Sequence, residues 1–304
     1  GCLYEVKGYR ALVSAGAIQP NTAADWKSRR VILDAKEPAA LAVDGADWPT
    51  YRHDASRSAG SPAAVGKAAD VLWHWKPLKA EPFATPYAFA DGQYLKPDSI
   101  ASAPVTAAGR VWFASADGMV RCLEAPSGRE LWRFPTGGRV FAPPTLADGR
   151  ALVGGGDGTV YCLDATTGAC LWKFQAAPVA RKLFWFGHLI STWPVVPGVA
   201  VQDGVAYTVA GYQRDNGIHA YALSLKTGDV LWEKHDAATG PGGLESLGNI
   251  AIGNGRMWVC GVPGGSFDLK TGDWKAVAGG QFGTEIAGMD TWVLRGGRRL
   301  REAQ

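Results

Sequence analysis

The chain has 304 residues, with 31 Lys and Arg against 28 Asp and Glu, so its net charge is +3. A charge this small gives no support for a nucleic-acid partner. Glycine accounts for 40 residues, roughly twice ordinary usage, and tryptophan (13) outnumbers both phenylalanine (10) and tyrosine (9). Many turns and many large aromatic side chains together predict an all-β protein. No apolar run reaches the ~18 residues of a membrane span, so no transmembrane segment is predicted.

The N-terminal residues 1–46 contain no repeat and are predicted to form an extension to the domain that follows. Residues 9–14 and 31–34 are its strand-like runs, and they are candidates for strands added to a neighbouring sheet. The chain does not begin with Met and shows no signal-peptide pattern at Gly1. We therefore expect a processed form or a piece of a longer protein.

An internal repeat of 40 residues dominates the rest of the chain. Residues 103–134 and 143–174 align without a gap and are identical at fourteen positions. The identical pairs include Gly109 and Gly149, Asp117 and Asp157, Gly118 and Gly158, Cys122 and Cys162, Gly128 and Gly168, Leu131 and Leu171, Trp132 and Trp172, and Phe134 and Phe174. A period of this length with regular turn signals is typical of a β-propeller blade.

Each unit is predicted to contain four antiparallel strands. Residues 110–115 and 119–124 are strand-like, and Asp117-Gly118 between them suits a tight hairpin. A turn at residues 125–128 leads into a third run, and a further strand precedes the unit near residues 102–106. The tryptophan that ends each unit is predicted to be buried between blades, at matching positions in Trp132, Trp172 and Trp232.

Looser copies of the unit extend the propeller domain over residues 47–304. Residues 199–234 and 247–277 repeat the pattern, and an earlier unit keeps only its final strand at residues 71–75. A later unit begins near residues 291–294 and is expected to stop after one strand, at residues 299–302. The predicted blades end near Trp73, Trp132, Trp172, Trp232 and Trp274. Blades this few do not close a ring, so we expect an incomplete or truncated ring that a longer chain or other chains finish.

The five cysteines (Cys2, Cys122, Cys162, Cys170 and Cys260) form no CxxC pair, and their spacing predicts no zinc or haem site. In the hairpin that turns at residues 165–168, Leu163 is predicted opposite Cys170 and Cys162 opposite Leu171. The two sulfur atoms should then lie on opposite faces of the sheet, without a bond between them.

Residues 157–174 follow the pattern DG-x-V-x-x-L-D-x-x-T-G-x-x-L-W-x-F. This pattern resembles the PQQ-like repeat of quinoprotein β-propellers, and the resemblance covers about residues 48–294. Residues 47–60 resemble the opening segment that often precedes the first blade. Trp193-Pro194 and residues 211–218 resemble a branch of large bacterial surface or periplasmic proteins. The resemblance implies a β-propeller in the bacterial envelope, either periplasmic or extracellular.

The dehydrogenases of this family hold their quinone with two adjacent cysteines, a stacking tryptophan and a calcium bound by Glu, Asn and a catalytic Asp. This sequence has no adjacent cysteines, and no matching trio can be placed on it. We therefore expect no bound cofactor. Pyrroloquinoline quinone with calcium is the alternative.

The third unit carries an insertion, chiefly residues 176–192, that contains cations and aromatic rings. Its candidate ligand-binding residues are Arg181, Trp185 and His188, and Trp193 follows directly. Loops on propeller faces are where ligands bind. We favour the alternative that this segment folds over a blade edge with a small aromatic core of its own.

Other candidate site residues are isolated. Arg214 and Asp215 occupy a turn where other units have Asp-Gly; they could direct charge to the channel, but local backbone hydrogen bonds are the favoured interpretation. Glu245 and His188 are weak catalytic candidates, since Glu245 has no partner carboxylate. The five histidines form no HxH or HxxxH pair, so no metal site is predicted. The glycine run at residues 154–158 is rejected as a phosphate loop because no helix follows, and the C-terminal arginines are expected to form a solvated tail.

These observations favour a non-catalytic binding or scaffold propeller of the bacterial cell envelope, comparable to the outer-membrane assembly lipoprotein that carries the same repeat. Its expected partner is a protein, the other chains of an envelope assembly, or a carbohydrate. The alternative is a catalytic function, in which the protein is an enzyme that uses the propeller channel, either a quinone-dependent dehydrogenase or a polysaccharide lyase or hydrolase.

Overall fold

The structure is a computed structural model that describes residues 26–33, 37–64, 70–76, 101–185, 188–211, 216–235, 249–259, 265–276, 288–289, 292–295 and 298–301. For residues 26, 184, 185, 188 and 288–301 it describes the backbone. The regular secondary structure of the described chain is formed almost entirely by strands, together with one short α-helix, α1 (Trp26–Arg29). In this part of the chain, no helix has the length and apolar character that crossing a membrane requires.

A short strand, β1 (Arg30–Ile32), precedes four sheets of the same up-and-down order, which we call blades 1 to 4. Blade 1 comprises β2 (Val105–Ala107), β3 (Arg110–Ala114), β4 (Met119–Glu124) and β5 (Glu130–Pro135). Blade 2 comprises β6 (Thr145–Ala147), β7 (Arg150–Gly154), β8 (Thr159–Asp164) and β9 (Cys170–Gln175). After β10 (Lys182–Trp185) and β11 (His188–Ser191), blade 3 comprises β12 (Val199–Gln202), β13 (Val205–Ala210), β14 (His219–Ser224) and β15 (Val230–Lys234). Blade 4 comprises β16 (Ile250–Gly253), β17 (Arg256–Val259), β18 (Gly265–Asp268) and β19 (Trp274–Ala276).

The turns within a blade follow from its sequence. The first hairpin of blade 2 turns at Asp148 (φ 45°) and Gly149 (φ 73°), and two positive φ angles in a row match the twist of the flanking strands. The second hairpin turns at Asp157-Gly158, where the Asp157 carboxylate accepts the N–H of Thr159. Because the strands alternate in direction, this second turn lies on the same face of the propeller as the connections between blades. We call this face of the propeller the insertion face.

The segments after blades 2 and 4 differ from expectation. The insertion contains a regular hairpin of β10 and β11 on the insertion face, where a loop was predicted. The last unit was predicted to stop after one strand, which is wrong. It forms a three-stranded sheet of β20 (Gly288–Met289), β21 (Trp292–Arg295) and β22 (Arg298–Arg301), so the C-terminal arginines belong to a hairpin backbone rather than to a tail.

The tryptophan near the end of blades 1, 2 and 3 docks on a glycine of the next blade. The Trp172 ring lies against Gly228, where an added Cβ would come within 2.8 Å of the ring, and Trp172 Nε1 donates to the Leu225 carbonyl at 3.1 Å. Both contacts recur in three other places: Trp73 with Gly128 and Ala125, Trp132 with Gly168 and Ala165, and Trp232 with Gly272 and Leu269. The matching positions are therefore confirmed, although Trp172 is buried and Trp132 and Trp232 are half-buried.

The earlier unit was predicted to keep a final strand at residues 71–75. The structure gives residues 70–76 no strand pairing within the described part of the chain. Trp73 nevertheless docks on Gly128 of blade 1, so its side chain makes the same contact as the other docked tryptophans although its backbone is not paired in a sheet.

Buried apolar layers lie between successive blades. Cys162 belongs to the layer between blades 2 and 3, and Cys170 packs against the layer between blades 1 and 2, so the two sulfur atoms lie on opposite faces as predicted. Leu163 pairs with Cys170, also as predicted. Cys162 pairs with Trp172 rather than with Leu171, because a β-bulge between Cys162 and Leu163 shifts the register.

The N-terminal segment is fixed along the outer edge of blade 2. Strand β1 pairs antiparallel with β9, which makes blade 2 five-stranded. The Arg29 guanidinium donates to Glu233 of blade 3 at 2.6 Å, and Glu37 accepts from Arg150 of blade 2 at 2.8 Å. We call residues 29–33, together with Glu37, the N-terminal strap, because they join blades 2 and 3 at both faces.

Candidate functional site

The first strands of successive blades surround a central channel, with β6 beside β12, β12 beside β16, and β16 beside β20. Residues 48–57 cross this channel, and we call them the plug. The free edges of the first strands bond to it. Trp48 and Thr106 of β2 exchange two backbone hydrogen bonds, Leu146 of β6 donates to Pro49, and Ile252 of β16 donates to Ala55. The plug therefore satisfies backbone groups that would otherwise face the channel unpaired.

Arg57 is the centre of the plug. Its side chain is 2% exposed. Its guanidinium donates to the carbonyl of Ile250 on blade 4 at 2.8 Å, to Thr50 Oγ1 at 2.8 Å, and to the carbonyls of Tyr51 and Asp54 at 2.9 and 3.2 Å. Burial lowers the pKa of Arg57 to about 10, so it stays charged at neutral pH. A buried cation that donates through Nε and Nη1 to four oxygen atoms of the protein fixes the plug in place.

A cavity of about 320 Å³ lies between the plug and the first strands of blades 2 and 3. Asp44, Asp47 and Asp54 are among its lining residues. Each carboxylate accepts local hydrogen bonds, from Ala46 N in the case of Asp44, from Ala108 N in the case of Asp47, and from Ser56 and Ser58 in the case of Asp54. Burial acts to raise the pKa of Asp54, and these hydrogen bonds outweigh it, so its pKa lies below the usual value. The three carboxylates therefore stabilise the turns around the cavity.

The channel residues that the structure describes do not fit a calcium-bound quinone. Calcium needs six to eight oxygen ligands. Thr50 and Thr145 bond to each other at 2.9 Å, Thr145 donates to the Val199 carbonyl, and Arg57 places a positive charge beside them. Across the described ranges, no group of three or more His, Cys, Asp or Glu side chains is placed to hold a metal ion.

Two of the candidate ligand-binding residues meet on the insertion face. The Arg181 guanidinium lies 4.7 Å from the centre of the Trp193 ring, and its nitrogens donate to Thr192 Oγ1 at 3.1 Å and to Asn216 Oδ1 at 3.4 Å. Trp193 is buried and donates through Nε1 to the Asn216 carbonyl at 2.5 Å. These contacts anchor the β10–β11 hairpin to the turn that precedes β14.

The other candidate residues are not brought to this cluster. Trp185 and His188 pair with each other across the tip of the hairpin, and only their backbone is described. Arg214, Asp215 and Glu245 lie outside the described residues. In the glycine run at residues 154–158, the N–H groups of Gly155, Gly156 and Gly158 donate to backbone carbonyls of the protein, so they are not free to bind a phosphate.

A cluster of titratable side chains that the sequence did not predict lies beside Trp193. His219 and His235 face each other with their Nδ1 atoms 3.1 Å apart, and His235 Nε2 lies 3.3 Å from Glu233 Oε2. His219 also packs edge-to-face on Trp193, with ring centres 6.1 Å apart. The histidines appear scattered in the sequence, yet the hairpin register could have found the pair. Because Ala220 pairs with Lys234, the preceding and following residues must also be opposite each other.

Burial determines the electrostatics of this cluster. Desolvation is the largest cause that lowers the pKa of His219 to about 3, and the nearby His235 and Arg29 side chains act in the same direction. Burial acts to raise the pKa of Glu233, but the close contact with His235 and the hydrogen bond from Arg29 outweigh burial and lower that pKa. Burial raises the pKa of Tyr221, which donates to the Ala176 carbonyl at 2.7 Å. At neutral pH, His219 is therefore an uncharged side chain beside a carboxylate and a guanidinium.

The repeat, the blades and the docked tryptophans agree with a match to a known family. The sequence profile described as "Outer membrane protein assembly factor BamB" matches residues 63–293. The chain belongs to this family. No curated protein matches it.

Solved structures with a similar fold include both BamB and quinone enzymes. BamB from Moraxella catarrhalis is 19% identical, with a TM-score of 0.48, over 62% of this chain and 56% of that one. Quinohemoprotein alcohol dehydrogenase from Comamonas testosteroni is 16% identical, with a TM-score of 0.53, over 80% and 43%. The enzyme ADHIIG from Pseudomonas putida HK5 is 12% identical, with a TM-score of 0.55, over 88% and 47%. The chain spans about half the length of these proteins, and the likeness to the two enzymes shows the β-propeller fold alone.

Proposed function

We propose that this BamB-family propeller is a non-catalytic scaffold of the bacterial cell envelope that binds a protein partner in periplasmic or extracellular assembly. The family to which the chain belongs is described by a role in outer-membrane protein assembly. Shared fold with alcohol dehydrogenases keeps an enzymatic role as the competing hypothesis. The scaffold proposal is supported by the channel, which the plug and the buried Arg57 occupy.

The observation that carries the proposal is the anchored hairpin of β10 and β11. Its base is fixed by the Arg181, Trp193 and Asn216 contacts, and it presents Leu189, which is 54% exposed, and an exposed Lys182. A rigid hairpin that displays an apolar side chain suits a protein interface. We therefore place the protein contact on the insertion face.

A photoreactive amino acid at position 189 tests this placement in the cells that make the protein. We expect ultraviolet light to crosslink position 189 to an envelope assembly protein, identified by mass spectrometry. The matched control carries the same amino acid at position 270, because Lys270 is also exposed but lies in a turn on the opposite face. Equal adducts at both positions, or none at position 189, would refute the hairpin as the contact.

A further inference from the structure

The N-terminal strap is attached mainly by polar contacts. Its apolar side chains face solvent, since Val31, Ile32 and Leu33 are 39%, 50% and 57% exposed. Backbone bonds hold β1 on β9, and Leu33 N donates to the Leu171 carbonyl at 2.9 Å. Little hydrophobic burial therefore opposes detachment of the strap, and it can leave the blades while they stay folded.

The Arg29 side chain is the buried anchor of the strap. It is 4% exposed and lies between the rings of Phe174 and Tyr221, with its guanidinium carbon 5.2 and 5.7 Å from the two ring centres. It donates to Glu233 Oε2 at 2.6 Å and to the Tyr221 hydroxyl at 3.3 Å. Among the described residues, Glu233 is the carboxylate that Arg29 contacts, and the neighbouring Arg30 adds an ion pair with Asp229 of blade 3 at 2.7 Å.

His235 contacts the same Glu233 carboxylate and links it to His219. Two Nδ1 atoms at 3.1 Å can share one proton, with one ring donating and the other accepting. When both rings are protonated, two N–H groups and two positive charges face each other. His219 is 4% exposed, and its Nε2 has no hydrogen-bond partner among the described residues. It therefore has no solvent to screen the added charge.

We propose that the His219–His235 pair is an acid-sensitive latch, which holds the N-terminal strap on blades 2 and 3 at neutral pH and releases it when both imidazoles are protonated. The charges that face the pair are Glu233 on β15 and Arg29 on the strap; Tyr221 on β14 is uncharged, and Arg181 lies on the far side of Trp193. Full protonation puts three cations against one carboxylate. Departure of Arg29 removes one cation and opens the pair to water.

The direction of the pH effect follows from linkage. The docked state keeps the pKa of His219 at about 3, whereas a solvated imidazole has its ordinary value of 6.5. The lowered pKa favours the docked state above pH 6.5, and this preference is lost progressively as the pH falls from 6.5 towards 3. At pH 5 the shift is up to about thirty-fold in favour of release. Release uncovers the edge of β9, which is a template for an extended strand of a partner protein. The latch itself does not depend on the proposed function.

Hydrogen–deuterium exchange of the whole chain tests the latch. With exchange times scaled for the intrinsic effect of pH, we expect residues 30–33 to lose at least tenfold in protection between pH 7.5 and pH 5, while β4 and β8 keep theirs. His219→Gln should abolish this response because glutamine does not titrate. His74→Gln is the matched control: His74 is exposed and remote from the cluster, so this variant should respond like the unaltered protein.

A second variant keeps the test decisive if His219→Gln folds poorly. Arg29→Gln should leave residues 30–33 unprotected at both pH values, with the blades intact. The proposal is overturned if the strap of the unaltered protein is equally protected at both pH values, or if its pH response persists in His219→Gln. It is also overturned if Arg29→Gln keeps the strap protected, or if all blades lose protection together with the strap at pH 5.

Discussion

Replacing Trp172 with alanine is expected to lower the free energy of unfolding by about 3–5 kcal/mol. The indole is 1% exposed and fills the layer between blades 2 and 3, so its removal leaves a cavity. The substitution also leaves the Leu225 carbonyl without the Nε1–H donor that now lies 3.1 Å away. Urea denaturation followed by circular dichroism measures the loss.

The other docked tryptophans provide a comparison for the loss of stability expected at Trp172. Trp132→Ala and Trp232→Ala remove the same two contacts from half-buried sites, so each should cost less, about 1–3 kcal/mol. Leu231→Ala is the surface control, because Leu231 is 56% exposed and its truncation should change stability little. Equal losses at Trp172 and Leu231 would contradict the docking of each tryptophan on the next blade.

Replacing Arg57 with methionine is expected to cost about 3–5 kcal/mol, the range for losing one partner of a buried charged network. Methionine has a similar length but no donors, so the carbonyls of Ile250 and Tyr51 and the Thr50 hydroxyl lose the hydrogen bonds that they accept from Arg57. Hydrogen exchange should then become faster at Leu146 and Ile252, whose amides bond to the plug.

Two matched variants separate the effect of the Arg57 hydrogen bonds from the effect of its positive charge. Arg57→Lys keeps the positive charge but not the planar set of donors, so it should cost less than methionine and still loosen the plug. Arg129→Met removes an arginine whose side chain is 65% exposed and paired with Glu124, and it should change stability by no more than about 0.5 kcal/mol. Unchanged exchange at Leu146 and Ile252 in Arg57→Met would show that the plug does not depend on Arg57.

The repeat predicted the blades because each unit is local. Turns such as Asp157-Gly158 and the 40-residue spacing of Trp132 and Trp172 depend on neighbouring residues, and the strands follow from them. The bulge after Cys162 was missed because nothing in the residue types marks where the ladder accommodates an extra residue. It is a property of the sheet twist rather than of the composition.

Contacts between residues that are far apart in the sequence could not be predicted from local sequence patterns. The segment at residues 47–60 was identified as an opening motif, but its path across the channel depends on Arg57 reaching Ile250, 193 positions away. Arg29 was likewise not singled out, because its partners Tyr221 and Glu233 are 192 and 204 positions away. Such side chains reveal their role only when the ring of blades brings distant strands together.

The proposal that this propeller acts as a scaffold without a quinone is tested most directly by titrating the purified chain with pyrroloquinoline quinone in excess calcium. The bound quinone can be followed by its near-ultraviolet absorbance after gel filtration. Protection of the β4 and β8 amides from hydrogen exchange serves as the control for folding. We predict that the quinone separates from the protein and that no dye-linked alcohol oxidation appears. Stoichiometric co-elution of the quinone together with that activity would contradict the account and identify the chain as an enzyme.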